Sequence, residues 1–417
     1  MNRRGALFAA LAAGAWPTAP GVAGQASAAS AGRAVPTAAP IESAFVAWSE
    51  QAIWFGRPGA GLRRLEAADG VGRALTPAGL WLATAAGRLQ RWPLPPVGAG
   101  ARQPAATLEV APPVHAVQAD MAGAHLLVAH ARQLTLLGGR GEVMRVYEGS
   151  DLARRRHDSA EALFHLRGRR SFVAAWPALG ELWEISLDPH SPPIFDGLVH
   201  DYRFGEGLAS PGYLGARRAP LGVPMPRFEF AAAEQPWVAG MLDDALVVVH
   251  LDVRRRVATL PLAGARPAGS AVLRRSGTEP AAWWVPHGAG VQVIDPRRWV
   301  LGARIATPAP VHELCALGSR VIIRAGEGAA ARLLACDGRT AASPTSGPAE
   351  VDPSFAVGQA RAPVAMAVHP TGSSLLVSSA APGAALQWLD TDGRLLERWP
   401  LPEGSVAPRV GWLPPAA

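Results

Sequence analysis

Met366-Ala-Val-His-Pro-Thr-Gly372, Ser374-Leu-Leu-Val-Ser378, Leu386-Gln-Trp-Leu-Asp390, Thr391-Asp-Gly393 and Leu395-Leu-Glu-Arg-Trp-Pro-Leu401 follow one another closely. Each apolar run is too short for a helix and is bounded by turn residues. The Asp-Gly pair supplies the positive φ that a tight hairpin needs. Read together, they are four short antiparallel strands in meander order. One such sheet cannot bury both of its faces, so it has to pack against copies of itself.

Such copies recur along the chain. Comparable units run over Arg73–Leu94, His115–Glu148, Ala160–Leu187, Phe228–Leu262, Ala271–Ala306 and Val311–Thr340. Ala44–Leu65 supplies a further set of strands, placed to close a ring with the C-terminus. Units spaced at about 40–50 residues have the period of propeller blades. The expectation is an all-β propeller of four-stranded antiparallel sheets. Eight blades suit the length best, although seven would also fit. The strands then read as core, and most of the 14 Trp as packing between blades.

Composition narrows the class further. The chain has 417 residues, of which 49% are hydrophobic and 18% charged, so a large core can form. Its net charge is +7, and every basic residue is Arg. That bias in an Ala- and Gly-rich chain does not point to nucleic acid, and the runs Arg154–Arg156 and Arg254–Arg256 read as solvated turns. Arg3 and Arg4, the apolar stretch Ala6–Trp16 and the small residues after it read as a signal peptide over 1–31, exported by the Sec or Tat route to the periplasm. A flexible linker over 32–42 and a single propeller domain over 43–417 follow. No other segment is long and apolar enough to span a bilayer.

Cys315 and Cys336 are the only cysteines. The unit that holds them puts them on non-neighbouring strands, too far apart to bridge. There is no Cys-x-x-Cys-His, hence no c-type haem. Phosphate-binding loops, His-Glu-x-x-His and Gly-x-Ser-x-Gly are missing too. His115, His157 and His312 each start a predicted innermost strand near one rim of the channel. They are weak candidates for an axial iron ligand, against the plainer reading of rim histidines in water. His125, His130, His165, His250, His287 and His369 lie in strands or turns and suggest no site. Residues 190–226 break the rhythm as a long Pro-, Gly- and Arg-rich loop, and such loops often carry function.

The same region carries a family signal. Leu182-Trp-Glu-Ile-Ser-Leu-Asp-Pro189, Ile194-Phe-Asp-Gly-Leu-Val-His-Asp-Tyr-Arg-Phe-Gly-Glu-Gly207, Pro211-Gly-Tyr-Leu-Gly-Ala-Arg-Arg218 and Leu251-Asp-Val-Arg-Arg-Arg-Val-Ala-Thr-Leu-Pro-Leu-Ala-Gly264 resemble haem d1 domain proteins. These are the cd1-type nitrite reductases, their maturation relatives and YVTN-like propellers grouped with them. The resemblance implies an eight-bladed propeller with haem d1 over its central channel, in a periplasmic setting tied to denitrification. It places His200 at a distal imidazole position, Asp201 as that ring's orienting carboxylate, Tyr202 beside them, and Arg203, Arg217 and Arg218 as forks for macrocycle carboxylates. Surface ion pairing is the plainer role for Arg217 and Arg218.

The sequence also departs from that pattern. Arg266-Pro-Ala-Gly-Ser270 stands where relatives read Pro-His-Leu-Gly-Ser, putting Pro267 at the second distal His. Gly70 and Ala365 occupy two further His positions, and Ser405-Val-Ala-Pro-Arg-Val410 replaces the usual ending. The resemblance therefore implies a divergent member, binding or maturing haem d1 through a degenerate ligand set. An independent nitrite reductase would need an electron entry site and a complete distal pair. The alternative is a haem-free propeller that serves as a scaffold for a periplasmic protein partner.

Overall fold

The structure is a computed structural model. It describes residues 44–412 apart from 50–51, 66–69, 71, 78, 94–103, 196–208, 223–224, 232, 275–279, 339–361, 381–382, 403–404 and 406–407. Glu42–Ala417 forms one compact unit.

Eight antiparallel sheets make up that unit, seven of four strands and one showing three among the described residues. The innermost strands of blades 2 to 8 are Gly72–Thr76, Val114–Ala119, Ala162–Leu166, Arg227–Ala231, Ala271–Arg274, Val311–Leu317 and Pro363–Val368. Blade 1 is composite. Its three outer strands, Phe45–Trp48, Ile53–Gly56 and Arg63–Leu65, come from the start of the domain, and its innermost strand, Arg409–Trp412, comes from the end. Phe45 pairs with Trp412 and Trp48 with Arg409, so the first and last strands close the ring.

Alternation along the strands explains why the sheets stack. Side chains of successive residues point to opposite faces, and the two faces of each blade feed two different cores. Among the described residues there are eight hydrophobic clusters, each filling the interface between two neighbouring blades. Trp176 and Trp183 of blade 4 lie against Leu134, Leu136 and Tyr147 of blade 3. Trp237 of blade 5 meets Trp283 of blade 6, ring centroids 4.9 Å apart. Burial of this kind, at roughly 25 cal/mol per Å², is what holds a propeller together.

The loop expected over 190–226 contains a strand. Ala216–Pro220 is the outermost strand of blade 4, paired with Glu181–Ser186. Its Ala-Arg-Arg-Ala-Pro sequence has no apolar alternation: Ala216, Arg217 and Arg218 are half-buried, and Ala219 alone is buried. Cys315 and Cys336 stand on Val311–Leu317 and Arg332–Asp337, with Arg320–Ala325 between them. Two strand spacings, roughly 10 Å, separate those backbones.

Candidate functional site

Every innermost strand of blades 2 to 8 runs in the same sense, so the channel has an entry rim, where the chain enters these strands, and an exit rim, where it turns into the second strand. The two rims carry different chemistry.

At the entry rim the ladder is interrupted in a repeated way. The pairing of the innermost strand with its neighbour shifts between Val114 and Ala116, between Phe228 and Phe230, between Val311 and Glu313, and between Pro363 and Ala365. The skipped residues are His115, Glu229, His312 and Val364. A bulge leaves one residue out of the ladder and re-aims its side chain. His115 and His312 are each the second residue of an innermost strand, in blades 3 and 7. Four blades apart in an eight-bladed ring, they stand on opposite sides of the channel mouth.

A hollow of about 690 Å³ opens beside His312, between blades 4 and 7. Glu161, Arg227, Glu229, Arg266 and His312 give its polar side, Arg227 Nε standing 3.8 Å from Glu229 Oε1, with Met225 and Phe228 on its apolar side. Gly269 is required here, since a β-carbon on it would sit 2.4 Å from the His312 carbonyl oxygen. The Arg266 guanidinium donates to His312 Nδ1 at 3.0 Å. An arginine cannot accept, so this imidazole nitrogen carries the lone pair and the proton sits on Nε2. Burial, with help from Arg324 and Arg266, holds the His312 pKa below its ordinary value, against the pull of Glu327. Nε2 is buried without a hydrogen bond, and Glu327 Oε1 stands 3.5 Å away. His312 is thus a neutral imidazole with an N–H to give. His115 is exposed and has no hydrogen-bond partner among the described residues.

Of the other sequence-based candidates, His157 lies outside the innermost strands, in an isolated bridge with Ser150 on the way from blade 3 to blade 4, and is exposed. Arg217 and Arg218 are both on the outermost strand of blade 4, away from the channel. Arg218 is fully engaged: Nε donates to Glu181 Oε2 at 2.7 Å, an Nη donates to the Ser150 carbonyl at 2.8 Å, and the guanidinium lies 4.6 Å from the centre of the Trp183 ring. Arg217 lines a separate hollow of about 270 Å³ with Glu184, Asp188 and Ile194. His200, Asp201, Tyr202 and Arg203 lie outside the described residues. The structure therefore brings His312 together with Arg266 and Arg227, and sets Arg217 and Arg218 apart from them.

The axial cavity, of about 810 Å³, draws its lining from all eight blades. Sequence reasoning passed over its polar groups. His125 Nδ1 and Asp120 Oδ2 are 2.8 Å apart, across the turn that leaves the innermost strand of blade 3. His165 of blade 4 and Arg167, paired with Glu234 of blade 5, follow around the exit rim. Burial keeps the His165 pKa low. His130, in contrast, is a core histidine, bonded to the Ala111 carbonyl and to Thr135 Oγ1.

No family model matches the sequence, and no curated protein does. Solved structures do resemble the fold. Dihydro-haem d1 dehydrogenase NirN, in complex with DHE, superposes with a TM-score of 0.64 at 17% identity, covering 89% of this chain and 76% of that one. The C-terminal WD40 domain of Sif2 gives 0.50 at 11% identity, covering 81% and 90%. BamB from Moraxella catarrhalis gives 0.43 at 12%, covering 79% and 87%. Likeness at these identities is a likeness of fold, shared by propellers of many functions.

Proposed function

We propose that this chain is an exported, periplasmic propeller that binds haem d1 or a precursor of it at the entry rim, in the service of haem d1 maturation. The observation that carries the reading is the entry rim itself: two imidazoles displaced from the ladder on opposite sides of the mouth, with a hollow beside one of them that holds two arginines, Arg227 and Arg266, together with Glu161 and Glu229. A flat macrocycle bearing carboxylates asks for these groups. Hollows of roughly 300–1,000 Å³ with an apolar side and a few convergent polar groups are the usual form of cofactor sites.

His115, exposed and unengaged, is suited to meet the iron through a ring nitrogen. His312 gives its Nε2 proton to an acceptor on the macrocycle or to an anion beside it, and Arg266 holds it in that tautomer. Arg227 and Arg266 offer forked donors to carboxylates. His200 enters on the resemblance of its segment alone. The bound group supplies redox chemistry at its iron, and the protein supplies binding and orientation.

Purified mature protein titrated with haem d1 tests this by its visible spectrum. Saturable binding with a ligation shift is expected, with the shift lost in His115→Ala and affinity lowered about tenfold in His312→Ala, the factor for one hydrogen bond to a charged group. His200→Ala runs in parallel to weigh the resemblance. Unchanged spectra with the wild-type protein would overturn the reading and leave the haem-free scaffold.

A further inference from the structure

The exit half of the channel is built unlike the entry rim. One side of its lining is made of rings. Trp412 and Trp48 of blade 1 and His369 of blade 8 all face the axial cavity. His369 stands edge-on to Trp412, centroids 4.8 Å apart, and its Nδ1 is tied to Thr371 Oγ1 at 2.7 Å. The opposite side is polar: Gln118 and Asp120 from blade 3, His165 and Arg167 from blade 4, and Glu234 from blade 5. Blades 8 and 1 lie diametrically across from blades 4 and 5, so the cavity has an aromatic wall facing a hydrogen-bonding wall.

On this lining the formal charges of Arg167 and Arg73 offset those of Glu234 and Asp120. Arg167 is paired with Glu234, and Asp120 shares a hydrogen bond with His125. Burial lowers the pKa of His165 and of His369, which leaves both rings neutral at neutral pH. His165 has no hydrogen bond to any described residue, although it faces a polar cavity. A bare anion would meet Asp120 and Glu234 here, and a bare cation would meet Arg167 and Arg73. What the wall offers is an alternation of donors and acceptors without net charge, opposite indole rings.

We infer that the exit end of the channel is a binding site for a neutral, hydroxyl-rich ligand of the saccharide class, with its C–H face on Trp48 and His369, which Trp412 backs, and its hydroxyls on His165, Asp120, Gln118 and Arg167. A pyranose ring has this division, apolar on one face and rimmed by groups that both give and accept hydrogen bonds. Paired carboxylate and guanidinium groups suit it because each hydroxyl can accept from one and donate to the other. The site is separate from the entry rim, and its occupation does not require a macrocycle there.

Methyl glycosides of glucose, galactose, mannose and N-acetylglucosamine, titrated one at a time into the full chain, test the inference. The readouts are indole fluorescence and saturation-transfer NMR. At least one glycoside should bind saturably, and His165→Leu and Gln118→Ala should each weaken it by about tenfold, the factor expected when a buried hydrogen bond loses its partner. Thermal melts of both variants confirm folding, and His115→Ala, at the other rim, should bind the glycoside as the wild type does. Loss of haem d1 binding with glycoside binding intact would bear on the entry rim alone. The inference fails if no glycoside binds, if His165→Leu binds unchanged, or if benzoate, a charged aromatic probe, binds the cavity in place of the sugars.

Discussion

Closure of the ring rests on four residues, Arg409–Trp412, and Trp412 is the one whose removal should be felt most. Its ring is 7% exposed and sits at the seam between blades 8 and 1. Nε1 donates to the Ala367 carbonyl of blade 8 at 3.0 Å. Phe45 of the adjoining strand meets the ring edge-on at 5.7 Å. Trp412→Ala removes the apolar contact, leaves a cavity and strands a carbonyl, which together cost about 3–5 kcal/mol. For the Glu42–Ala417 unit, an unfolding entropy of about 2.1 cal/mol/K per residue comes to about 0.8 kcal/mol/K, so the melting point should fall by about 4–6 °C. Trp412→Phe keeps most of the burial and should recover more than half of that. Differential scanning calorimetry on both variants makes the measurement. A fall below about 1 °C for the alanine variant would mean that the C-terminal strand does not close the ring, and the composite blade would be wrong.

Three further outcomes follow from local geometry. Arg218→Ala strips a partly buried guanidinium from Glu181, Ser150 and Trp183; leaving Glu181 without it should cost about 3 kcal/mol in urea unfolding, while haem d1 titration stays as in the wild type. Gly149→Ala places a β-carbon 2.2 Å from Trp176 Cζ3 and 2.3 Å from the Asp158 carbonyl oxygen, so the variant should lose about 1–3 kcal/mol by overpacking, read from the same unfolding curves. His130 has its pKa lowered first by burial, against the Ala111 carbonyl; the unfolded chain then binds the extra proton, so this contribution is complete above pH about 6.5 and is lost as pH falls through the lower folded value. His130→Gln should flatten the decline of the urea midpoint between pH 7 and pH 5, and a variant that declines as steeply as the wild type would refute the assignment.

The blade architecture and the composite closure were legible from alternation and spacing, which favoured eight blades and left seven open; the structure has eight. Met366 to Leu401 reads as four strands, and four strands are there: Pro363–Val368, Ser374–Ser379, Ala385–Asp390 and Leu395–Pro400. Outermost strands were harder. Ala216–Pro220 has Arg217 and Arg218 at its centre, and its place is fixed by what it pairs with, Glu181–Ser186. No period-2 signal survives in a strand of which three residues are half-buried and only one is buried, so the segment read as loop. The resemblance offered Arg218 as a fork for a ligand, with ion pairing as the plainer reading, and Glu181 and Trp183 hold it.

Site residues depend on a finer property, the register of each innermost strand. His115 and His312 were placed at the start of such strands from sequence, and they are there. That each sits on a bulge was hidden, because a bulge is a property of two strands and appears only when Val114 and Ala116, or Val311 and Glu313, are paired with their neighbours. The same limit explains the exit rim. His165 and Asp120 lie 45 residues apart in sequence, on adjacent blades, and nothing local in either segment marks it as polar lining. A propeller distributes each of its rims over the whole chain, one or two residues per blade. The chemistry of a rim is therefore a product of how many blades close the ring. Were one blade lost, His115 and His312 would no longer oppose each other, and neither would the rings of blades 8 and 1 and the polar groups of blades 4 and 5. Both sites thus stand on the same fact, the pairing of Arg409–Trp412 with Phe45–Trp48 that sets the number at eight.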